Sequence, residues 1–294
     1  MKITGIAHAK INWALNITGM RPNGYHELDM LMQAIELGDA MTFEVAEDIS
    51  LVVDGQVTPD AEKNLVVRAA RALNRHAGTR HGVRMTLEKR VPARAGLGGG
   101  SADCALALRA LNTLWGLKLD DAALMDIGAG LGADVPFCLT GGLARVRGIG
   151  ERVEPLPASE IPLVLVTPGG GLSTAEVFGR WDREGYPPVA LDVPALAAAV
   201  AARKLDAADA LCANALTAPA LALMPEIGMV MQRLRALGGQ AVFMTGSGST
   251  VVAAFPHPAA AQAAAQAIPG AVQTCTRNAP CCEFNACEPV TGKR

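Results

Sequence analysis

The sequence has almost no net charge: 26 Lys and Arg face 28 Asp and Glu, a formal net charge of -2, and charged residues make up only 18% of its 294 residues. So balanced a chain offers no general field for nucleic acid or an anionic membrane surface. Any anion must therefore be held locally. Long apolar runs are missing as well. None reaches the roughly 18 residues expected of a membrane span, and the alanine-rich stretch at residues 193–202 is cut by Arg203 and Lys204. Residues 1–15 do not read as a secretion signal, because Lys10 and Asn12 interrupt the apolar stretch. The cysteines number seven, an odd total, which without a secretion signal implies a reducing compartment. A soluble cytoplasmic protein is expected. Two common phosphate-binding sequences are also absent. No Gly-Lys-Ser or Gly-Lys-Thr occurs, which excludes a Walker A loop, and the glycine-rich loop does not spell Gly-x-Gly-x-x-Gly. There is no internal repeat.

What is present is apolar material, 50% of the chain, enough for a substantial core and two compact domains. Residues 3–17 suggest a strand, followed by a turn-rich segment over residues 19–24. Residues 41–45, 49–53 and 83–87 read as further strands. Residues 63–76 carry Leu65, Val66, Ala69, Ala70 and Leu73 at helical spacing. Residues 101–115, rich in alanine and leucine and closed by Gly116, read as a second helix. Three prolines, Pro155, Pro157 and Pro162, precede a short buried-strand candidate at residues 163–166 and place a domain boundary near residue 155. Helices are then expected around residues 194–204 and 224–237, with strands at 240–244 and 250–255 bracketing a glycine-serine turn.

The strongest chemical feature is Pro92-Ala93-Arg94-Ala95-Gly96-Leu97-Gly98-Gly99-Gly100-Ser101-Ala102-Asp103, between a strand and a long helix. Glycines let the backbone approach an anion closely, and a helix N-terminus offers unpaired N–H groups and the positive end of the dipole. That combination suits a polyphosphate. Ser101 could cap the helix or donate to a phosphate, and the two roles compete. A tight structural turn is the plain alternative, but four glycines within five residues exceed what a turn needs.

Phosphoryl transfer also needs a carboxylate to take the proton of the attacking hydroxyl and a cation to balance charge. Asp134 stands among small and apolar residues in Gly130-Leu131-Gly132-Ala133-Asp134-Val135-Pro136-Phe137. By itself it reads equally as a helix cap, a buried turn residue or a base. Lys10 is the one charge between Ile3 and Leu15, and a lone lysine near a strand is more often a surface residue. As a pair, each supplies the partner the other lacks. A further turn, Met244-Thr245-Gly246-Ser247-Gly248-Ser249-Thr250, could be a plain hairpin or could line a phosphate site from a second domain.

Three separated motifs, Ala9-Lys10-Ile11-Asn12, residues 92–101 and Thr245-Gly246-Ser247-Gly248, together resemble the GHMP kinase superfamily of small-molecule kinases over nearly the whole chain. Within it, Arg21-Pro22-Asn23-Gly24-Tyr25-His26-Glu27-Leu28 and Leu131-Gly132-Ala133-Asp134-Val135-Pro136-Phe137 are most similar to the branch acting on 4-diphosphocytidyl-2-C-methyl-D-erythritol. The resemblance implies an α+β fold of two domains, the first like domain 2 of ribosomal protein S5, with the active site in the cleft between them. It implies an ATP-binding N-terminal domain at residues 1–155, a C-terminal domain at 156–283 and a tail at 284–294.

The implied reaction moves the γ-phosphoryl group of ATP to the 2-hydroxyl of that substrate, giving the 2-phosphate and ADP, in non-mevalonate isoprenoid precursor biosynthesis. On the same resemblance Asp134 is the base, Lys10 the cation beside it, and Asn12 positions the substrate. Tyr25 stacks on the cytosine, His26 supplies its hydrogen bonds, and Phe178, reached through Pro168, Ser173 and Thr174, closes the other face. Ordinary alternatives are a turn aromatic at Tyr25 and a core residue at Phe178. The glycine loop, residues 92–102, holds the phosphates, Lys89 lies near the adenine with Asn64 as a second contact, and Gly246, Ser247 and Gly248 face the site from the second domain. Mg²⁺ is expected with ATP, on no assigned protein ligand. The partner is a small molecule, with no nucleic acid and no membrane; monomer and homodimer both remain open.

His8, Trp13 and Ala102 depart from the family pattern, the last where a second serine is usual. Cys275, Cys281, Cys282 and Cys287 lack paired Cys-x-x-Cys spacing, so free thiols in a variable tail are expected in preference to zinc. The alternatives are another kinase of the superfamily, acting on homoserine, mevalonate or a sugar, and a catalytically silent nucleotide-binding homologue.

Overall fold

The apolar N-terminal stretch and the segment after the first turn pair as two long antiparallel strands that organise the first half of the molecule. The computed structural model describes residues 1–57 and 61–287. In chain order the first half forms β1 (Lys2–Met20), β2 (His26–Ala46), β3 (Ile49–Val53), β4 (Gln56–Val57), α1 (Leu65–Ala77) and β5 (Gly82–Glu88). It continues through α2 (Gly99–Leu114), α3 (Asp121–Ala129), α4 (Val135–Thr140), β6 (Leu143–Gly148) and β7 (Arg152–Leu156). The second half forms β8 (Pro162–Val166), α5 (Thr174–Glu184), α6 (Val193–Ala201), α7 (Leu205–Leu211), α8 (Thr217–Leu223) and α9 (Glu226–Ala236). It ends with β9 (Ala241–Met244), β10 (Val251–Ala254), α10 (Pro258–Gln266), β11 (Val272–Cys275) and β12 (Cys282–Cys287).

The first sheet runs β12-β1-β2-β5-β3-β4, with β6 also on β2 and β7 on β6; the second runs β11-β8-β10-β9. In β5, Val83, Met85 and Leu87 are buried while the residues between them are exposed, the period of a half-buried strand. All of β8 is buried, as its unbroken apolar run demands of a strand flanked by β10 and β11. Helix α1 buries Val66, Val67, Ala69, Ala70 and Leu73 and starts on Asn64, whose side chain accepts from the Val66 N–H at 2.9 Å. Helix α2 lies in the core of the first half, with Ala102 through Leu108 buried without a break.

Several details differ from the sequence reading. Helix α2 begins at Gly99, on Gly98 in the left-handed region at φ 66°, so Ser101 is not its cap. The expected tail from residue 284 instead begins inside β12, which pairs with β1 at the edge of the first sheet. Cys281 is accordingly fully buried, and Cys282, free and partly buried, donates from Sγ to the Cys138 carbonyl at 3.5 Å, so these free thiols belong to the folded sheet and not to a variable tail. Residues 288–294 lie outside the described part. Helices α3, α4, α7 and α8 run nine, six, seven and seven residues, too short to show a 3.6-residue period. Among the described residues no helix is long and apolar enough to cross a membrane.

Candidate active site

The two halves meet at a cleft of about 740 Å³, within the range typical of small-molecule sites. Its floor comes from β1. Lys10 and Asn12 are two residues apart on one strand and so share a face. The β1–β2 register slips between His8 and Lys10 and again between Asn12 and Ala14, bulges of the kind that re-aim side chains beside active sites. Lys10 is only 4% exposed, so it is not the surface lysine that its isolation in the sequence suggests. Its ammonium donates to Asn12 Oδ1 at 2.8 Å and to the Gly96 carbonyl at 3.1 Å, and lies 3.3 Å from Asp134 Oδ2. A buried lysine needs such partners, because an unpaired charge is costly to desolvate.

Asp134 occupies the N-cap position of α4, yet its side chain makes no capping hydrogen bond. The carboxylate turns to Lys10 instead. Helix α4 is buried from Val135 to Leu139 and carries a proline in its first turn, which favours helix initiation and anchors Asp134 at the cleft.

The glycine loop closes over Lys10. Gly98 has a positive φ, and a Cβ there would lie 2.8 Å from Lys10 Cε; a Cβ on Gly96, at φ 77°, would lie 2.2 Å from the Thr245 carbonyl oxygen. Glycine is required at both positions, in one case to seat a side chain and in the other to admit a second loop. That second loop is Thr245 to Ser249. Thr245 Oγ1 accepts from the Asn12 N–H at 2.8 Å, and Ser247 Oγ and Thr174 Oγ1 share a hydrogen bond at 2.9 Å. Residues 92–101, Asn12, Asn64, Lys89, Asp134, Thr174, Phe178, Gly246 and Ser247 all line the cleft. Ala102 does not: its side chain is fully buried in the core, as is that of Cys104 beyond it. Gly248 is not among the residues lining the cleft, and a Cβ built on it would lie 2.9 Å from Met244 Sδ.

Lys89 is committed to two carboxylates. Its ammonium donates to Asp39 and to Asp103 Oδ2 at 2.9 Å, and it lies beside Gly99, where a Cβ would be 3.4 Å from Nζ. Asp39 also accepts the Arg90 and Val91 N–H groups at 2.5 and 2.8 Å, and Asp103 Oδ1 has no partner among the described residues. Burial pushes the Asp103 carboxyl up to about 7, against the pull of Lys89. Burial lowers the Lys89 ammonium, but the two carboxylates outweigh it and hold its pKa above the usual lysine value.

The aromatic residues are arranged differently from the expected sandwich. Phe178 faces the His26 ring, centroids 4.8 Å apart and tilted by 35°, while Tyr25 is 58% exposed and meets no other ring among the described residues. Trp181 stands edge-on to His26 at 5.7 Å, and His26 Nε2 lies 2.8 Å from Asp182 Oδ1. Neither Tyr25 nor His26 lines the cleft itself.

Sequence reasoning missed Asp39, Asp103, Asn214 and Asp182. Asn214 donates to the Met244 and Gly246 carbonyls at 3.0 and 2.9 Å and so fixes the second loop; a lone amide in an alanine-leucine stretch was its signal. Asp103 stands inside the glycine motif, and Asp39 follows Gly38 in the middle of β2, three residues after Glu36.

Two family models match, GHMP kinases N terminal domain over residues 64–142 and GHMP kinases C terminal over residues 194–273. A 4-diphosphocytidyl-2-C-methyl-D-erythritol kinase of Pelotomaculum thermopropionicum is 46% identical over 256 residues, covering 85% of this chain and 88% of that protein. The chain belongs to this family of GHMP kinases. Another member, from Rhizobium etli, is 40% identical over 300 residues, covering 99% of this chain and 96% of its own. The crystal structure of a 4-(cytidine 5'-diphospho)-2C-methyl-D-erythritol kinase, 37% identical, superposes with a TM-score of 0.80 over 93% of this chain and 98% of that one. A homoserine kinase from Cytophaga hutchinsonii, 19% identical, covers 97% of each chain at a TM-score of 0.73 and shares the fold. The two-domain α+β architecture expected of the family is the one observed.

Proposed function

We propose that the protein transfers the γ-phosphoryl group of ATP to the 2-hydroxyl of 4-diphosphocytidyl-2-C-methyl-D-erythritol. The observation that carries this reading is the Lys10–Asp134 contact, 3.3 Å long, set directly under a glycine loop that feeds the N-terminus of α2. The loop and the positive end of α2 suit the triphosphate. Asp134, with no capping bond to make, takes the proton of the attacking hydroxyl. The oxygen then forms its bond to the γ-phosphorus as the bond to the bridging oxygen of ADP breaks. Lys10 holds the carboxylate in place, 3.3 Å from its own ammonium, and stabilises the charge that develops on the attacking oxygen, a role that needs its buried, fixed position. Asn12 orients Lys10 and is placed to meet the substrate.

Among the described residues no three carboxylate, imidazole or thiol groups gather as a metal site. Ser101, the hydroxyl of the glycine loop that lines the cleft, would be the oxygen donor available to a Mg²⁺ ion delivered with the triphosphate, and the ion would supply neutralisation of phosphate charge. Cys104, Cys138, Cys212, Cys275, Cys281 and Cys282 are all free, which supports work in a reducing cytoplasm.

The test is ADP release from Mg²⁺-ATP with the cytidine diphosphate substrate, compared with homoserine, mevalonate and galactose. Turnover of the cytidine compound above the others is expected. Preference for another alcohol would reject the substrate assignment, and no turnover of any would favour a silent homologue.

A further inference from the structure

The geometry points to Arg94 as a specificity-determining residue that pairs its guanidinium with the diphosphate of the acceptor, so that the enzyme favours an alcohol carrying that group. The inference rests on the acceptor proposed above. It starts from backbone strain. Asp54, Arg94, Lys118 and Arg203 are the described non-glycine residues in the left-handed region, and Arg94, at φ 55°, is the one that lines the cleft. An L side chain is disfavoured in that conformation, and Gly96 and Gly98 show what the same loop uses elsewhere to adopt it. The conformation is imposed from the second half of the molecule. The Arg94 carbonyl accepts from the Leu172 N–H at 3.0 Å, and a Cβ on Gly171, at φ 95°, would lie 2.5 Å from the same oxygen. Strained residues of this kind persist where the surroundings hold them, and they cluster at ligand-binding positions.

Charge accounting gives the ligand. The cleft is lined by the cations Lys10, Lys89 and Arg94. Lys10 faces Asp134, and Lys89 is held between Asp39 and Asp103. Arg94 is exposed, and its side chain has no hydrogen bond or ion pair among the described residues. In a chain of net charge -2 this guanidinium is the local positive charge left over for an anion. The triphosphate already has the N–H groups at the start of α2. Arg94 lies upstream of that helix start and is clamped by Leu172, in the segment that leads into Thr174 and Phe178, the residues of α5 that line the cleft. That clamp sets it on the acceptor side. A guanidinium binds phosphate oxygens through a planar fork of donors, and each phosphate of the acceptor carries a negative charge. An alcohol without phosphates gains nothing from it.

The test uses the whole enzyme with Mg²⁺-ATP and the cytidine diphosphate substrate, in wild type, Arg94→Gly and Arg94→Lys. Glycine suits the left-handed backbone, so Arg94→Gly should melt no lower than wild type. Its KM for the acceptor should rise by about tenfold or more, the usual loss when a hydrogen bond to a charged group goes, with kcat and the KM for ATP nearly unchanged. Arg94→Lys, which keeps the charge without the planar fork, should recover part of the loss. Cytidine and cytidine diphosphate, used as competitive inhibitors against the acceptor, separate charge from shape. Arg94→Gly should weaken inhibition by the diphosphate and leave cytidine as in wild type. Equal weakening of both overturns the proposal, because a distorted cleft would do the same. A rise in the KM for ATP in place of that for the acceptor assigns Arg94 to the triphosphate and also overturns it. An unchanged acceptor KM in Arg94→Gly, with wild type using the cytidine compound, overturns this proposal alone. Failure of wild type to use that compound overturns the substrate reading and this inference with it.

Discussion

The ammonium of Lys10 lies 3.3 Å from Asp134 Oδ2, and the same nitrogen is held by Asn12 and by the Gly96 carbonyl. Three chain segments far apart in sequence therefore converge on one buried cation. That convergence leaves Asp134 as the carboxylate whose loss should affect chemistry more than binding. Asp134→Asn keeps the shape and removes the base. Turnover should drop by about 10²–10⁴-fold, while ATP affinity measured by calorimetry stays close to wild type. A variant with wild-type kcat would remove Asp134 from the mechanism.

Gly98→Ala tests the loop that seats Lys10. The added methyl would lie 2.8 Å from Lys10 Cε at a residue with φ 66°. An L side chain in that conformation costs about 1–2 kcal/mol, and the lysine stem must shift as well. Urea unfolding should show a loss of that order, and kcat should fall with it because Lys10 no longer meets Asp134. Full activity in a destabilised protein would show that the loop does not position Lys10.

Asp103 gives a pH dependence whose sign is fixed. Its carboxyl is pushed up to about 7 in the folded protein, against 3.8 for the ordinary group. The folded state thus binds more protons than the unfolded state between these values, so this group's contribution to stability falls as pH rises from about 4 to about 7 and levels off beyond. Asp103→Asn should flatten that part of the stability profile, as followed by thermal melting across pH. A slope as steep in the variant as in wild type would assign it to other groups.

Asn64 has a capping role that can be separated from any nucleotide contact. Asn64→Ala should cost about 1 kcal/mol, the usual value of a lost N-cap, because the Val66 N–H loses its acceptor. Unfolding curves give that quantity, and KM for ATP measured on the same protein shows whether the residue also serves the nucleotide. A raised KM with unchanged stability would reverse the assignment.

Thiol accessibility supplies a check on β12. Burial raises the Cys104, Cys212 and Cys282 thiols far above the ordinary value, and Cys275 less so at the exposed edge of β11. Cys275 should react with a thiol reagent well before the other three in the native enzyme, since a buried, protonated thiol is a poor nucleophile. Prompt labelling of Cys282 would mean that β12 is not docked on β1.

The sequence alone determined the pieces whose physics is local. Glycines crowded before an alanine-leucine helix specify a loop that other segments can approach closely, as the Thr245 carbonyl does at Gly96 and the Lys10 stem at Gly98. The apolar spacing of Val66, Ala69, Ala70 and Leu73 specifies the buried face of α1. Tertiary structure decided what depends on distance through space. Lys10 and Asp134 become a pair only when a bulged strand and a short buried helix meet under the loop. Asp39 and Asp103 become partners of Lys89, and Asp182 a partner of His26, through contacts that no spacing along the chain encodes. The last strand shows the same limit. Residues 282–287 are an edge strand because β1 offers them an unpaired row of backbone groups, and that vacancy exists only in the assembled sheet.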